Sequence, residues 1–250
     1  MSPFSVSELR LRTFLQWIAI GYGLFSLFLL MRAPASSADP IFGLPVFAAY
    51  ACAGWGLLAF MAWLASGDVR RFRGLIYLVS GLLIAGGLAA WLMHDSALDS
   101  TARTFTQITA LIDGAVGVIV FVLLLSCPAS ADYIPVWRTH KPPTRAERTL
   151  PYGLFAVGML AAGIGLYLLG ARLGGVPRLR SPTMIAYAAV LGGGIAGCAL
   201  LPAYDPRRYG ELLTLGVIGG LLALGAHLLI ALFGGSLAIA PLSSLAVVAI

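Results

Sequence analysis

The chain has 250 residues, of which 60% are hydrophobic and only 10% charged, and its mean hydropathy is +0.93. A water-soluble domain carries roughly a quarter charged residues, so this balance excludes one, and the long apolar runs exclude a disordered chain and a nucleic-acid binder. The formal charge of +6 then belongs to loops that orient membrane segments, and Cys52, Cys127 and Cys198, all set in apolar runs, do not make a disulfide scaffold.

A helix rises ~1.5 Å per residue, so about 20 apolar residues cross a hydrocarbon core roughly 30 Å thick. Taken in chain order, the stretches that meet this length are Thr13–Met31, Val46–Ala65, Leu75–Met93, Ile108–Cys127, Leu150–Leu169, Thr183–Leu201 and Leu212–Phe233. A further apolar stretch, Leu237–Ile250, carries Pro241 near its start and is too short to cross. The expected fold is all-α, a polytopic membrane bundle of seven full spans and a short eighth. Arg10 and Arg12 before the first span, and Ser36, Ser37 and Ala38 after it, give it the outline of a secretory signal. Its apolar run exceeds a signal core of about 7 to 15 residues, so it reads as a structural helix.

Short cytoplasmic loops accumulate Lys and Arg. Arg10, Arg12, Arg70, Arg71, Arg73, Arg138, Lys141, Arg145, Arg148, Arg207 and Arg208 fall on one side of the predicted spans, while Arg32, Arg103, Arg172, Arg178 and Arg180 fall on the other. The amino terminus is therefore expected on the cytoplasmic side, in a bacterial cytoplasmic membrane. Trp17, Trp63, Trp91, Tyr133 and Trp137 lie near predicted span ends, where amphipathic rings anchor at the headgroups.

Sliding the chain over itself carries Pro45–Leu92 onto Pro182–Leu229 without a gap. Pro45, Ala49, Tyr50 and Ala51 fall on Pro182, Ala186, Tyr187 and Ala188, while Asp68, Arg70, Arg71 and Phe72 fall on Asp205, Arg207, Arg208 and Tyr209. Gly21, Tyr22, Gly23, Leu24 and Phe25 resemble Gly163, Ile164, Gly165, Leu166 and Tyr167 at a spacing that requires a shorter following loop in the second unit. The pattern predicts two tandem four-helix units, residues 1–127 and 150–250, the second with a short or truncated last helix. Residues 128–149, with Pro135, Pro142, Pro143 and four basic residues, form the expected cytoplasmic linker. An even number of spans per unit gives both the same orientation, related by an axis along the membrane normal. Small residues one turn apart (Gly86 and Ala90, Gly158 and Ala162, Gly193 and Gly197, Gly216 and Gly220) predict tight helix packing, chiefly within the chain.

Two polar residues interrupt the apolar runs. A carboxylate at a helix centre costs about 2.5 to 3.5 kcal/mol, so Asp113 in the fourth span must face the bundle or protonate, as a coupling site or as the partner of Arg103, Gln107 or a Tyr. His227 in the seventh span is the second candidate intramembrane polar or coupling residue, able to shuttle a proton or to serve as a structural histidine that hydrogen-bonds across helices; His94 and His140 are poorly placed to complete a haem site with it. The clusters Asp68, Arg70, Arg71 and Asp205, Arg207, Arg208 read as hairpin turns pinned at the headgroups. The first of them, with Gly67, is superficially similar to a loop of the major facilitator transporters. Its spacing differs and the unit here has four helices where theirs has six, so no function is carried over.

No HExxH, paired metal carboxylates, phosphate-binding glycine loop or Gly-x-Ser-x-Gly occurs, and the single lysine, Lys141, is in the linker. Enzyme activity, metals and cofactors are not expected. The leading expectation is an accessory or scaffold subunit that packs against a larger membrane complex, with lipid and other membrane subunits or a second copy as partners. The alternative is a small-solute or ion-coupled transporter, with a cavity between the two units and Asp113 as coupling acid.

Overall fold

A computed structural model describes residues 5–32, 45–92, 100–127, 145–173 and 182–234. Among them every regular element is helical: α1 (Val6–Arg32), α2 (Pro45–Gly67), α3 (Arg73–Leu92), α4 (Ser100–Leu125), α5 (Arg145–Leu173), α6 (Pro182–Tyr204), the single turn α7 (Pro206–Tyr209) and α8 (Glu211–Gly234). Six helices, α1 to α6, are long and apolar enough to cross a membrane, which makes this a multi-pass membrane protein; α8 contributes the described apolar stretch Glu211–Ala226. Leu237–Ile250 lies outside the described residues, as do Tyr133, Trp137, His94 and His140.

The helices outrun the apolar windows at several ends. α4 starts at Ser100 and not at Ile108, and α5 takes in Arg145–Thr149 from the expected linker. Hydropathy marks only the part of a helix that lies in hydrocarbon, whereas backbone hydrogen bonding continues into the headgroups until a cap or proline stops it. Local chemistry sets several starts. Pro45 and Pro182 occupy first positions, where the missing N–H costs no helical bond. At α1, the Ser5 Oγ accepts from the Glu8 N–H at 3.2 Å while the Glu8 carboxylate accepts from the Ser5 N–H at 2.8 Å. This capping box satisfies two otherwise unpaired donors.

α2 and α6 form the centre: 78% and 61% of their spans are buried, against 22%, 28% and 11% for α1, α4 and α5. They pack on each other, α1 lies along α2 and α5 along α6, α3 touches α6 as α8 touches α2, and α4 lies along α3. The core holds Trp55, Leu57, Leu58 and Met61 of α2 with Tyr187 of α6 and Leu75, Ile76 and Leu83 of α3. Outward faces carry Trp17, Leu24 and Met31 on α1, Ile112 and Val122 on α4, and Phe155 and Leu166 on α5, surfaces suited to acyl chains and not to water.

Apolar helices gain little hydrophobic energy from association in lipid, so close approach has to supply packing. At Gly54, an added Cβ would lie 2.9 Å from the Leu191 backbone N and 3.2 Å from the Tyr187 carbonyl O, so α2 and α6 touch backbone to backbone. At Gly87, it would lie 2.6 Å from the Ala110 carbonyl O, which brings α3 against α4.

Candidate functional site

At one end of the bundle the α2–α3 and α6–α8 turns interlock. Asp68 accepts from the Arg71 N–H at 2.9 Å and Asp205 from the Arg208 N–H at 3.2 Å, so each aspartate fixes its own turn. The Arg71 Nε donates to the Arg208 carbonyl at 3.2 Å, and the Arg208 Nε donates back to the Arg71 carbonyl, between residues 137 positions apart. A second Arg208 nitrogen donates to the Arg70 carbonyl at 2.6 Å. The guanidinium of Arg71 lies over Phe72, 4.9 Å from the ring centroid, and that of Arg208 over Tyr209 at 5.3 Å. Burial pushes the Tyr209 hydroxyl pKa up, which keeps the phenol neutral where it rests on Gly74 at the start of α3.

Glu8, which no apolar run or charge cluster singles out, joins this end. Its 1% exposed carboxylate takes the Arg70 fork at 2.5 and 3.0 Å and so ties the start of α1 to the α2–α3 turn. The Ser-x-x-Glu spacing was the available signal. Glu8→Gln is expected to lower thermal stability by about 1 kcal/mol, since the pair is open to solvent on the arginine side. Thermal unfolding in detergent at low and high salt checks it: the difference from wild type should shrink in high salt. The Arg73 guanidinium also donates to the Cys127 and Leu124 carbonyls at 3.3 and 3.2 Å, capping the last turn of α4.

Deep in the bundle, Asp113 is 2% exposed and its Oδ1 accepts from the Tyr22 hydroxyl at 2.8 Å. Of the partners expected for it, a tyrosine is therefore the one that fills the role. Arg103 stands nearly three turns away on the same helix, about 15 Å by the helical rise. The Tyr22 ring stacks on Trp55 with centroids 4.6 Å apart, Tyr187 meets Trp55 edge-on at 5.1 Å, and Phe25 meets it at 5.7 Å. The Tyr187 hydroxyl also approaches the Asp113 carboxylate and answers it without forming a well-aligned hydrogen bond. Trp55 Nε1 is buried without a hydrogen-bond partner among the described residues, which costs about 1 to 3 kcal/mol for a buried polar group.

A second feature is an apolar cavity of about 530 Å³ between α5, α6 and α8, lined among others by Val157, Ile164, Ile195, Cys198 and Val217. The offset that pairs Arg71 with Arg208 equates Ile195, Cys198 and Val217 with Leu58, Met61 and Ser80, and the separate first-helix match that pairs Gly21 with Gly163 places Ile164 on Tyr22. Of these first-half counterparts, Tyr22 and Ser80 are met by α4: Tyr22 bonds Asp113, and the Ser80 Oγ donates to the Gly117 carbonyl at 2.9 Å.

The polar residues singled out by the sequence thus separate into two places, the turn cluster of Asp68, Arg70, Arg71, Asp205 and Arg208 and the interior around Asp113. Arg207 lies in α7 and His227 in α8, and the side chains of both are outside the described residues. Among the described residues no three His, Cys, Asp or Glu side chains converge as a metal site requires. Trp55 carries no signal in the sequence, because nothing local separates a core tryptophan from a site tryptophan. Compared with family models, curated proteins and solved structures, the chain matches none.

Proposed function

We propose that this chain is an integral membrane accessory or scaffold subunit, with no chemistry of its own, that seats one apolar helix of a larger membrane complex between α5, α6 and α8. The observation that carries the reading is the cavity there, two of whose first-half counterparts, Tyr22 and Ser80, are met by α4. Two tandem four-helix units related by an axis along the membrane normal account for that correspondence, and for the reciprocal arginine bonds, since a two-fold relation makes contacts mutual. The proposed topology has seven spans, with the amino terminus and the arginine-rich turns on the cytoplasmic side of a bacterial cytoplasmic membrane. Small residues bring the two walls of the seat, α5 and α6, into backbone contact: a Cβ on Gly192 would lie 3.1 Å from the Ala161 carbonyl and 3.2 Å from the Gly165 Cα.

Photo-crosslinking from Val157 and Val217 in native membranes tests the seat. The expected product is a single adduct, mapped by mass spectrometry to a span-length apolar helix of another polypeptide and lost when Val217→Trp fills the cavity. Adducts only to lipid, or only to residues 237–250 of the same chain, overturn the reading.

A second reading, a small-solute or ion-coupled transporter, is favoured by one observation: Tyr187 of α6 reaches the carboxylate of Asp113 on α4, so the acid lies where the two halves meet. In proteoliposomes, Asp113→Asn is then expected to abolish pH- or ion-dependent uptake while leaving the protein folded. Uptake unchanged in the variant sinks the transporter reading.

A further inference from the structure

We infer that the helix seated between α5, α6 and α8 carries one uncharged hydrogen-bonding side chain, of the Ser, Thr, Asn or Gln class, and that Tyr50 is the residue that selects for it. The inference rests on the seat and on the two-unit correspondence proposed above, and adds the chemistry by which the seat chooses its occupant.

The first half shows what a helix in the corresponding place presents. Asp113 on α4 is met from two sides: Tyr22 of α1 donates to its carboxylate at 2.8 Å, and Tyr187 of α6 approaches the same carboxylate from the other half. One turn further along α4, the Gly117 carbonyl takes the Ser80 hydroxyl at 2.9 Å. Small residues let α3 come this close, since a Cβ on Gly117 would lie 2.9 Å from the Ser80 carbonyl. Three hydroxyl groups thus meet α4 within an otherwise apolar contact.

The second half keeps one of the three. The offset that pairs Arg71 with Arg208 also carries Tyr50 onto Tyr187, the phenol that crosses between the halves, and Tyr50 of α2 does stand in the wall of the cavity bounded by α5, α6 and α8. The counterparts of Tyr22 and Ser80 are Ile164 and Val217, which line the same cavity and offer no side-chain hydrogen bond. A carboxylate in hydrocarbon needs more than one partner, so a wall with a single phenol disfavours a charged guest. A phenol both donates and accepts, so Tyr50 can bond a hydroxyl or a carboxamide beside the contact it already makes within the chain. Since apolar helices gain little from one another in lipid, one such bond separates the right span from any other.

The test uses the purified full chain in proteoliposomes, with a photo-crosslinker at Val157, and synthetic spans of about 20 Leu and Ala residues flanked by Lys, identical but for a central Leu, Asn or Asp. The Asn span is expected to crosslink at a concentration about three- to tenfold lower than the Leu span, and the Asp span at neutral pH no better than the Leu span. The Asn preference should vanish in Tyr50→Phe, which keeps the ring and removes the hydroxyl, and persist in Tyr187→Phe. Ile164→Tyr combined with Val217→Ser rebuilds the hydroxyl set of the first half and is expected to raise the Asp span at least to the Asn level; this gain decides the matter if Tyr50→Phe fails to fold. Equal crosslinking of the Leu and Asn spans, preference of the wild type for the Asp span, or an Asn preference unchanged in Tyr50→Phe overturns the inference and leaves the seat standing. Crosslinking of none of the three spans removes the seat and the inference with it.

Discussion

Gly54→Leu is expected to separate α2 from α6 and leave little folded protein after detergent extraction. The new Cβ alone would sit 2.9 Å from the Leu191 backbone N and 3.3 Å from its Cα, and backbone cannot rotate out of the way as a side chain can. Overpacking a close contact costs about 1 to 3 kcal/mol per added group, so Gly54→Ala should already lower the unfolding temperature measurably and Gly54→Leu should exceed that range. Gly21→Ala is the matched control. Nothing lies within 4 Å of the Cβ it would add, and alanine is the better helix former by about 1 kcal/mol, so this variant should be as stable as wild type or slightly more so. Size-exclusion profiles and thermal unfolding of the three variants check the ordering; a Gly54→Leu protein that unfolds like wild type would show that α2 and α6 do not meet at this point.

Arg71→Ala combined with Arg208→Ala is the second large effect. Each guanidinium donates to the backbone carbonyl beside the other, Arg208 adds a bond to the Arg70 carbonyl, and Arg71 also pairs with Glu211 at 3.0 Å. A hydrogen bond from a charged donor contributes about 1.5 to 3 kcal/mol, and half-exposure near the headgroups brings each single substitution to the lower end. Because the two arginines hold one interlocked turn pair, their effects should not add: a double-mutant cycle is expected to give a coupling of about 0.5 to 3 kcal/mol. Arg208→Lys should recover little, since an ammonium cannot present the two-pronged fork that reaches both carbonyls. A coupling energy near zero would mean that the turns fold independently.

Much of this organisation is legible in the one-dimensional pattern. The spans are visible because hydrocarbon demands a minimum apolar length, and the observed helices overlap every predicted stretch before Leu237–Ile250. The aspartates of the two hairpins are expected to pin their turns, and Asp68 and Asp205 do bond the N–H three residues on. What the pattern does not carry is that the arginines of the two hairpins grip each other. That depends on how two distant turns meet, not on any local pattern.

The interior site shows the same division. Asp113 stands out because a charge in an apolar run is expensive wherever it points. Tyr22, Trp55 and Tyr187 do not stand out, since aromatic residues are ordinary in apolar helices and their assembly brings together α1, α2, α4 and α6. Glu8 is hidden for a different reason: at the edge of the first span it resembles any acidic residue of a first turn, and only the folded position of Arg70 makes it a buried ion-pair partner.

Sequence alone determined that this is a multi-pass helical membrane protein and which residue hydrocarbon could not leave unanswered, because both follow from solvation and from the rise of a helix. The tertiary structure decided that α2 and α6 form the centre, that a phenol and not a guanidinium answers Asp113, and that the described residues leave a cavity between α5, α6 and α8. Those outcomes depend on close approach between helices far apart in the chain, and in lipid such approach is governed by short-range shape and hydrogen bonding, which no linear pattern of apolar residues encodes.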